Sequence, residues 1–482
     1  MPDANAAPPP PRGSVPSWLP SELTSQLQSL ARHLIDHPDA GNFLHFEQQL
    51  HQQFIKTADV ISQKVLLETI SQPDVIEQAI DTYRSKGYRV HSRNRATIVQ
   101  LKGGRTIQIK TVYMLPRPSS KTGRKRGVGC RGRQGKGIYP VLKLLGIAHQ
   151  SSPALQNDVT ISALNNPFVE ATETLKRHGV TISEKRVRTI SESVGKAALN
   201  DRDKQLEQFS NGTLQQGNTF AGKRVVIAID GGRTRIRQVK KGKKKRGQQR
   251  QGYYTDWKES KLFTLYAIDE MGRKLNQQLL PYNDGTITGR DPFKQLFKMD
   301  LYQTGVVAAS QIIFIGDGAP WIWNIIDEII NELNINPDII TKVLDFYHAA
   351  EHLWEVIDVL PNLSEQQKQR LFKKFRMQLK NGNIDSLIET LGRKANRNKN
   401  AYKKLSYFHG HEDQCRYDQF IEKNIPIGSG AIESAVRRIV NLRLKGAGMF
   451  WLKHNAEAFL HLRCQLKSGR WDEFFRNRIT PA

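Results

Sequence analysis

Three acids in this chain each follow a string that would aim them. VVIAIDGGR carries Asp230 at the end of a β-branched run, IIFIGDGAPW does the same for Asp317, and IPIGSGAIES sets Glu433 in the first turn of a helix. Runs of Val, Ile and Phe bounded by Gly read as buried strands of a mostly parallel sheet. A carboxylate at the mouth of such a strand is costly unless a cation is held beside it. Two strands and a helix that each deliver one acid would hold two divalent ions per site, Mg²⁺ or Mn²⁺, for which hard oxygen ligands are suited. Such a pair, about 3.5–4 Å apart, activates the nucleophile and the leaving oxygen of a phosphodiester. Each acid also fits a plainer role. Asp230 before Gly231-Gly232 and Asp317 before Gly318 are turn-forming, and Glu433 suits the positive end of a helix near Gly430.

The charge distribution names the substrate class. The 482 residues carry a formal net charge of +27, with 25% charged and 38% hydrophobic residues. From Thr82 to Asn157 there are 17 Lys and Arg and no acid, and from Gly231 to Thr255 ten more and again no acid. These two stretches account for the whole net charge, and localised positive charge is the footprint of a polyanion. Double-stranded DNA is the expected partner, held by Arg124, Lys125 and Arg126 in one stretch and by Lys240, Lys241, Lys243, Lys244, Lys245 and Arg246 in the other. A solvated basic face is the alternative for any single cluster. Gly231, Gly232, Gly316 and Gly318 would let backbone and DNA approach closely. No apolar run approaches 18 residues, so no membrane span is expected. The start, MPDANAAPPPPRGSVP, has neither a basic nor an apolar signal region and reads as a disordered Pro-rich tail over 1–17. Cys130, Cys415 and Cys464 are scattered, which argues against a disulfide framework and for a reducing, cytoplasmic setting, at the nucleoid when DNA is bound.

Stepping along the chain, Leu23, Leu27, Leu30 and Leu34 repeat at helical spacing and introduce a helical region over 18–81. ATIVQLK and RTIQIKTVYML flank Gly103-Gly104, a hairpin signal, and a Gly- and Arg-rich arm completes a basic segment over 82–137. Residues 138–200 read as helical, with one helix to about Arg177, a turn at His178-Gly179 and a second helix from Ser183 bearing Lys185, Arg186 and Arg188. That is a helix-turn-helix outline, whose second helix would enter the major groove, or else an ordinary helical hairpin. A polar linker over 201–222 leads to a core over 223–345. There the strand 225–230 is followed by LFTLYAI and RKLNQQLLPY as the next two strands, then by strands alternating with helices. Residues 346–425 read as helix, 426–470 as the core's final helix, and 471–482 as a tail. Antiparallel strands followed by parallel strands and helices is the order of an α/β ribonuclease-H-like core, a mixed five-stranded sheet with flanking helices. It would carry an all-helical insertion and follow an N-terminal α+β DNA-binding region.

Two further constellations stand near the acids. In DFYHAAEHLW, Asp345 and His348 follow a strand and suit accessory roles at a scissile phosphate. The string His348-Ala-Ala-Glu351-His352 also fits a zinc metallopeptidase with Glu351 as general base, and helix-packed histidines are a third reading. On the last helix Glu433, Arg437, Asn441 and Lys445 recur every fourth residue and would share a face, with Arg437 on a DNA phosphate or paired to an acid. Phe450 and Trp451 fit core packing or a stack on an unpaired base.

AIDGGR, FIGDGAPWIW, LDFYHAAEHLW and IPIGSGAIESAVRRIVNLRLKGAGMFW resemble the DDE transposases of bacterial insertion sequences of the ISKra type, relatives of the Mutator-like group, over roughly residues 165–470. The resemblance implies a ribonuclease-H-like domain interrupted by a helical insertion, with the acidic triad on Asp230, Asp317 and Glu433 and an Asp-x-x-His element on Asp345 and His348. It also implies action on terminal inverted repeats and target DNA, in a homodimer or larger synaptic complex. Related chains often carry a cysteine-rich metal-binding segment before the helix-turn-helix; here only Cys130 stands there, and no zinc module carries over. A catalytically silent DNA-binding descendant is the alternative within the same resemblance.

Overall fold

The structure, a computed structural model, describes residues 21–117, 137–240, 242, 247, 251–275, 277–395, 398–446 and 448–479. The Pro-rich tail, Arg124, Lys125, Arg126, Lys241, Lys243, Lys244, Lys245 and Arg246 lie outside the described residues. The chain forms two units, residues 1–191 with 479–482, and residues 192–478.

In the first unit, α1 (Ser21–Asp36), α2 (Ala40–Ser71) and α3 (Pro73–Ser85) precede a hairpin of β1 (Tyr88–Gln100) and β2 (Thr106–Pro116). Pro73, at the first position of α3, ends one helix and starts the next, since it lacks the N–H that a continuing helix needs. The hairpin closes around Gly103-Gly104 as expected, but through a longer loop pinned from α2: buried Asp59 accepts from Gly103 N and Arg105 N, both at 2.9 Å. Then follow α4 (Pro140–Leu144), α5 (Pro153–Asn165), α6 (Phe168–Arg177) and α7 (Glu184–Ser210). Leu155, Val159, Leu175, Val187 and Ile190 bury one small core among α5, α6 and the start of α7. The expected helix, turn and helix are present, with Gly179 at φ 85° and Ser183 Oγ accepting from Arg186 N at 3.4 Å. The expected linker at 201 is instead the second half of α7. Its polar residues have distant partners: Arg202 reaches Glu457, and Asp201 pairs with Arg478 at 3.0 Å.

The second unit is a mixed α/β structure built on five strands: β3 (Arg224–Val239), β4 (Tyr253–Ile268), β5 (Tyr282–Thr286), β6 (Gln311–Gly316) and β7 (Ile340–Leu344). Their order is β5-β4-β3-β6-β7, with β3, β4 and β5 antiparallel and β6 and β7 parallel to β3. Val225 to Ile229 and Ile312 to Ile315 are buried, as continuous apolar runs covered on both faces must be. Helices α8 (Arg290–Gln303) and α9 (Pro320–Glu332) flank β6 in sequence. An all-helical segment then runs through α10 (Phe346–Asp358), α11 (Glu365–Lys380), α12 (Ile384–Ala395), α13 (Lys399–His409) and α14 (Tyr417–Glu422). The chain returns with α15 (Gly430–Val436), a π-helical turn (Arg437–Asn441), α16 (Leu442–Leu444), α17 (Lys453–Lys467) and α18 (Trp471–Ile479). Among the described residues no helix is long and apolar enough to cross a membrane.

Three expectations are corrected. The third strand is not RKLNQQLLPY but the following YNDGT, whose turn-forming residues bond into a buried polar cluster. Asn283 bonds Ser468 Oγ through its N and Nδ2 at 3.0 and 2.9 Å, and His461 lies 3.3 Å from Asp284. Glu457 accepts from Arg202 at 2.6 Å, Thr286 Oγ1 at 2.7 Å and Ile287 N at 2.8 Å. The single final helix is two, α15 to α16 and α17, and the tail is helix α18, held by buried Trp471 and Phe475. Removing one member of a buried ion pair leaves the other charge uncompensated. Glu457→Ala should therefore lower stability by ~3–5 kcal/mol, read from the urea midpoint. A loss within ~0.5 kcal/mol, as for an exposed pair, would mean that the cluster does not hold β5.

Candidate active site

Asp230 lies inside β3, not at its end, because β3 continues through Gly231-Gly232 in register with β4. It nonetheless marks the end of the parallel pairing: the last β3–β6 pair is Ala228↔Ile315, and two residues further on stand Asp230 and Asp317. Alternate strand residues share a face, and the face of Asp230 continues through buried Gly232, Thr234 and Ile236. A Cβ on Gly232 would sit 3.1 and 3.2 Å from methyls of Val440 and Val436, so the helix that carries Glu433 packs directly on that strand face. This glycine makes room for protein rather than for DNA.

Asp317 sits just past β6 in a turn whose Oδ1 accepts from Ala319 N at 2.9 Å. Gly318 has φ 84°, and a Cβ there would meet Tyr407 Oη at 2.6 Å. Tyr407, on α13, donates to the carbonyl of Asp317 at 2.9 Å, and burial holds its hydroxyl pKa above the usual phenol range. The helical segment thus fastens the Asp317 turn. Tyr407 gave no local signal in the sequence, since an aromatic on an amphipathic helix reads as core.

Asp345 differs most from expectation. It is fully buried, with one oxygen accepting from Tyr347 N at 2.7 Å and His348 N at 2.9 Å and the other accepting from Ser429 N. Its own N–H donates to Gly316 O at 2.8 Å. It is a positioning residue and not an accessory at a scissile phosphate. It caps α10 and joins the end of β6 to the loop that enters α15. Glu433 is exposed in the first turn of α15, 3.4 Å from Ser429 Oγ. The π-helical turn at Arg437–Asn441 breaks the four-residue repeat of Glu433, Arg437, Asn441 and Lys445. Its carbonyls find a buried guanidinium: Arg463 donates to Ile439 O at 2.6 Å and to Arg438 O, and burial pushes its pKa down to about 10. Arg437 is exposed one turn beyond Glu433.

His348 Nδ1 is 3.5 Å from Glu351 on the same helix. His352 stacks on Tyr407 at 3.8 Å, and burial lowers its pKa, so it is neutral at neutral pH. Packed in this way, His352 fits the helix-packing reading better than a metallopeptidase ligand.

The other two acids and His348 all act on Asp230. The Asp230 carboxyl is pushed up to about 6, chiefly by burial, with Asp317 and Glu433 adding to the rise and the Gly231 N–H and His348 opposing it. Oxygen donors from three elements with an unmet need for positive charge fit a hard divalent cation in kind and in charge. Among the described residues, however, no three His, Cys, Asp or Glu side chains stand close enough to hold an ion together. The carboxylates share one field without closing into a ligand set.

Among the basic residues, Arg186 is committed to its own unit. Its guanidinium donates to Gln100 Oε1 at 2.8 Å, Gln150 O at 2.6 Å and Ser151 Oγ at 2.9 Å, which corrects its assignment to DNA. Lys185 and Arg188 are exposed on the same helix, and Arg188 pairs with Glu184 at 2.6 Å. Lys240 extends the β3–β4 hairpin by a bond to Gly252 O. Trp451 is buried, as core packing requires, and Phe450 packs on Tyr253 at 5.3 Å. No protein-family model matches the chain, and no curated protein matches it.

A carboxyl whose folded pKa is about 6, above the ordinary ~3.9, binds its proton more tightly when folded. Its stabilising contribution is complete below about pH 4 and is lost as pH rises through about 6. Asp230→Asn, which cannot ionise, should therefore melt higher than the parent near pH 8 and lose that advantage near pH 4. Equal melting shifts at both pH values would show that Asp230 is not strained by its neighbours.

Proposed function

We propose that the chain is a DDE-type DNA transposase, which cleaves phosphodiesters at the ends of an insertion sequence and joins them to target DNA. The observation that carries this reading is the electrostatic convergence of Asp230, Asp317 and Glu433, delivered by β3, the end of β6 and α15. The strand order supports it: three antiparallel strands followed by two strands parallel to the first is the ribonuclease-H-like order, here followed by a helical insertion before the third acid. The localised basic stretches supply the affinity for DNA.

In this reading Asp230, Asp317 and Glu433 would hold two Mg²⁺ or Mn²⁺ ions, drawn together by the charge of the ions themselves. When bound, these supply Lewis-acid activation of the attacking and leaving oxygens. Asp345 and Tyr407 keep the Asp317 turn and the entry to α15 in register. His348 opposes the rise of the Asp230 carboxyl electrostatically. Water displaces one oxygen of the end phosphodiester and leaves a 3′-hydroxyl, which then displaces an oxygen of a target phosphodiester in the same site, with no covalent protein intermediate. Lys185 and Arg188 suit contacts to the terminal inverted repeats, and pairing of two ends calls for a dimer or larger assembly.

The direct test is Mg²⁺-dependent cleavage of a plasmid that carries the DNA flanking this gene. Cuts at the element ends that disappear in Asp317→Ala are the expected result. Binding of those ends without cutting in either Mg²⁺ or Mn²⁺ would sink the enzyme and leave a DNA-binding descendant. Asp345→Asn should slow cleavage by ~10–100-fold, the range seen when a group that orients metal ligands is altered, while end binding stays as in the parent. Unchanged cleavage would remove Asp345 from the positioning role.

A further inference from the structure

Past Asp230, β3 and β4 outrun the sheet. Parallel pairing ends at Ala228↔Ile315, while the β3–β4 register continues to Val239↔Tyr253 as a two-stranded ribbon. One face is packed: Thr234 and Ile236 are buried, and Thr234 Oγ1 meets Ser260 Oγ at 3.0 Å. The opposite face carries Arg233, Arg235 and Arg237, across from Glu259, Trp257 and Thr255, with Tyr253 at the end. Arg235 lies 4.7 Å from the ring centre of Trp257, and Arg237 lies 5.8 Å from that of Tyr253. Trp257 and Tyr253 are nevertheless 43% and 42% exposed. Glu259, on this face, is taken by Lys261, so none of the three arginines has a carboxylate partner among the described residues.

An ordinary solvated strand face would pair its arginines or bury its aromatic rings. Here Arg235 and Arg237 meet rings instead of carboxylates, the rings stay partly exposed although Phe450 also packs on Tyr253, and the ribbon is held firmly. Trp451 bonds the free edge of β3 from both sides, accepting from Arg237 N at 2.8 Å and donating to Arg235 O at 3.0 Å. Guanidinium groups suit phosphates, and flat exposed rings suit unpaired bases, which stack without regard to sequence. Alternate strand residues advance ~6.6 Å, so the arginines form a row suited to successive phosphates of an extended strand. Arg235 lies ~17 Å along β3 from Asp230.

We propose that this ribbon face, on the side of β3 opposite the Asp230 side chain, binds an unpaired stretch of DNA, with Arg233, Arg235 and Arg237 on its phosphates and Trp257 stacked on a base. The choice of DNA rests on the transposase reading; the charge and the exposed rings do not. The test uses the full chain and fluorescence anisotropy with labelled oligo-dT of about 20 nucleotides, beside a blunt duplex and oligo-U. Trp257→Ala should weaken oligo-dT binding by ~10-fold and leave the duplex unchanged, Trp257→Phe should restore most of the loss, and Arg235→Ala with Arg237→Ala should flatten the salt dependence. Wild-type oligo-dT binding in these variants, or an equal loss on the duplex, would overturn the proposal. So would tighter binding of oligo-U with the same loss. Oligo-dT binding through Trp257 in a chain that never cuts plasmid overturns the transposase reading alone; cutting with Trp257-independent binding overturns the ribbon alone.

Discussion

One buried carboxylate, that of Asp345, ties the end of β6, the start of α10 and the approach to α15 together. Its two oxygens accept three backbone N–H groups, from Tyr347, His348 and Ser429. Its own N–H holds Gly316 O, and the next residue, Phe346, bonds Ile427 O at 2.9 Å. A carboxylate taken out of water is costly unless such donors surround it, and once surrounded it fixes their geometry. The residue before Asp317, the first turn of α10 with His348, and the approach to Glu433 therefore move as one piece. Eighty-four residues separate Asp345 from Ser429, so this one carboxylate joins the two ends of the helical segment.

The helical segment is nonetheless more than a spacer. Tyr407 comes back from α13 to the Asp317 carbonyl and occupies the space that only a glycine at position 318 leaves open. Arg463 acts from the other side of the acid-bearing helix, filling the carbonyls that the π-helical turn cannot pair within itself. A π turn is tolerated where an outside donor meets its exposed carbonyls. Here that donor is charged and buried, so the helix phase after Val436 is set by tertiary structure.

The sequence was most legible where neighbours in the chain decide the structure. The apolar runs before Asp230 and Asp317, the Gly-bounded hairpin and the His178-Gly179 turn all stand where local periodicity and turn chemistry put them. It was least legible where distant groups decide. YNDGT has the composition of a turn and becomes a buried strand because Glu457, Ser468 and His461, all more than 170 residues away, bond to it. Residues 201–210 look like a linker because their partners, Glu457 and Arg478, are equally remote. Arg186 reads as a DNA contact on a helix surface until the loop at His149–Ser151 folds over it. Asp345 reads as chemistry because an acid after a strand looks the same whether its oxygens face substrate or backbone.

Charge sets the order in which such a site can be filled. Asp230 already rises to about 6 from burial and the nearby acids, with His348 as the opposing charge. A phosphodiester brings one more negative charge into that field, and the interaction grows as water is displaced. In the transposase reading DNA and divalent cations are therefore linked ligands, each raising the affinity for the other, because neither charge is balanced alone. The arginine row on the ribbon bears on the same problem from outside. As proposed, it holds the DNA strand by phosphates that never enter the acidic field, so that affinity does not depend on the one phosphate the acids repel. In the transposase reading, such a division keeps binding on basic, aromatic surface and reserves the carboxylates for the cations of the reaction.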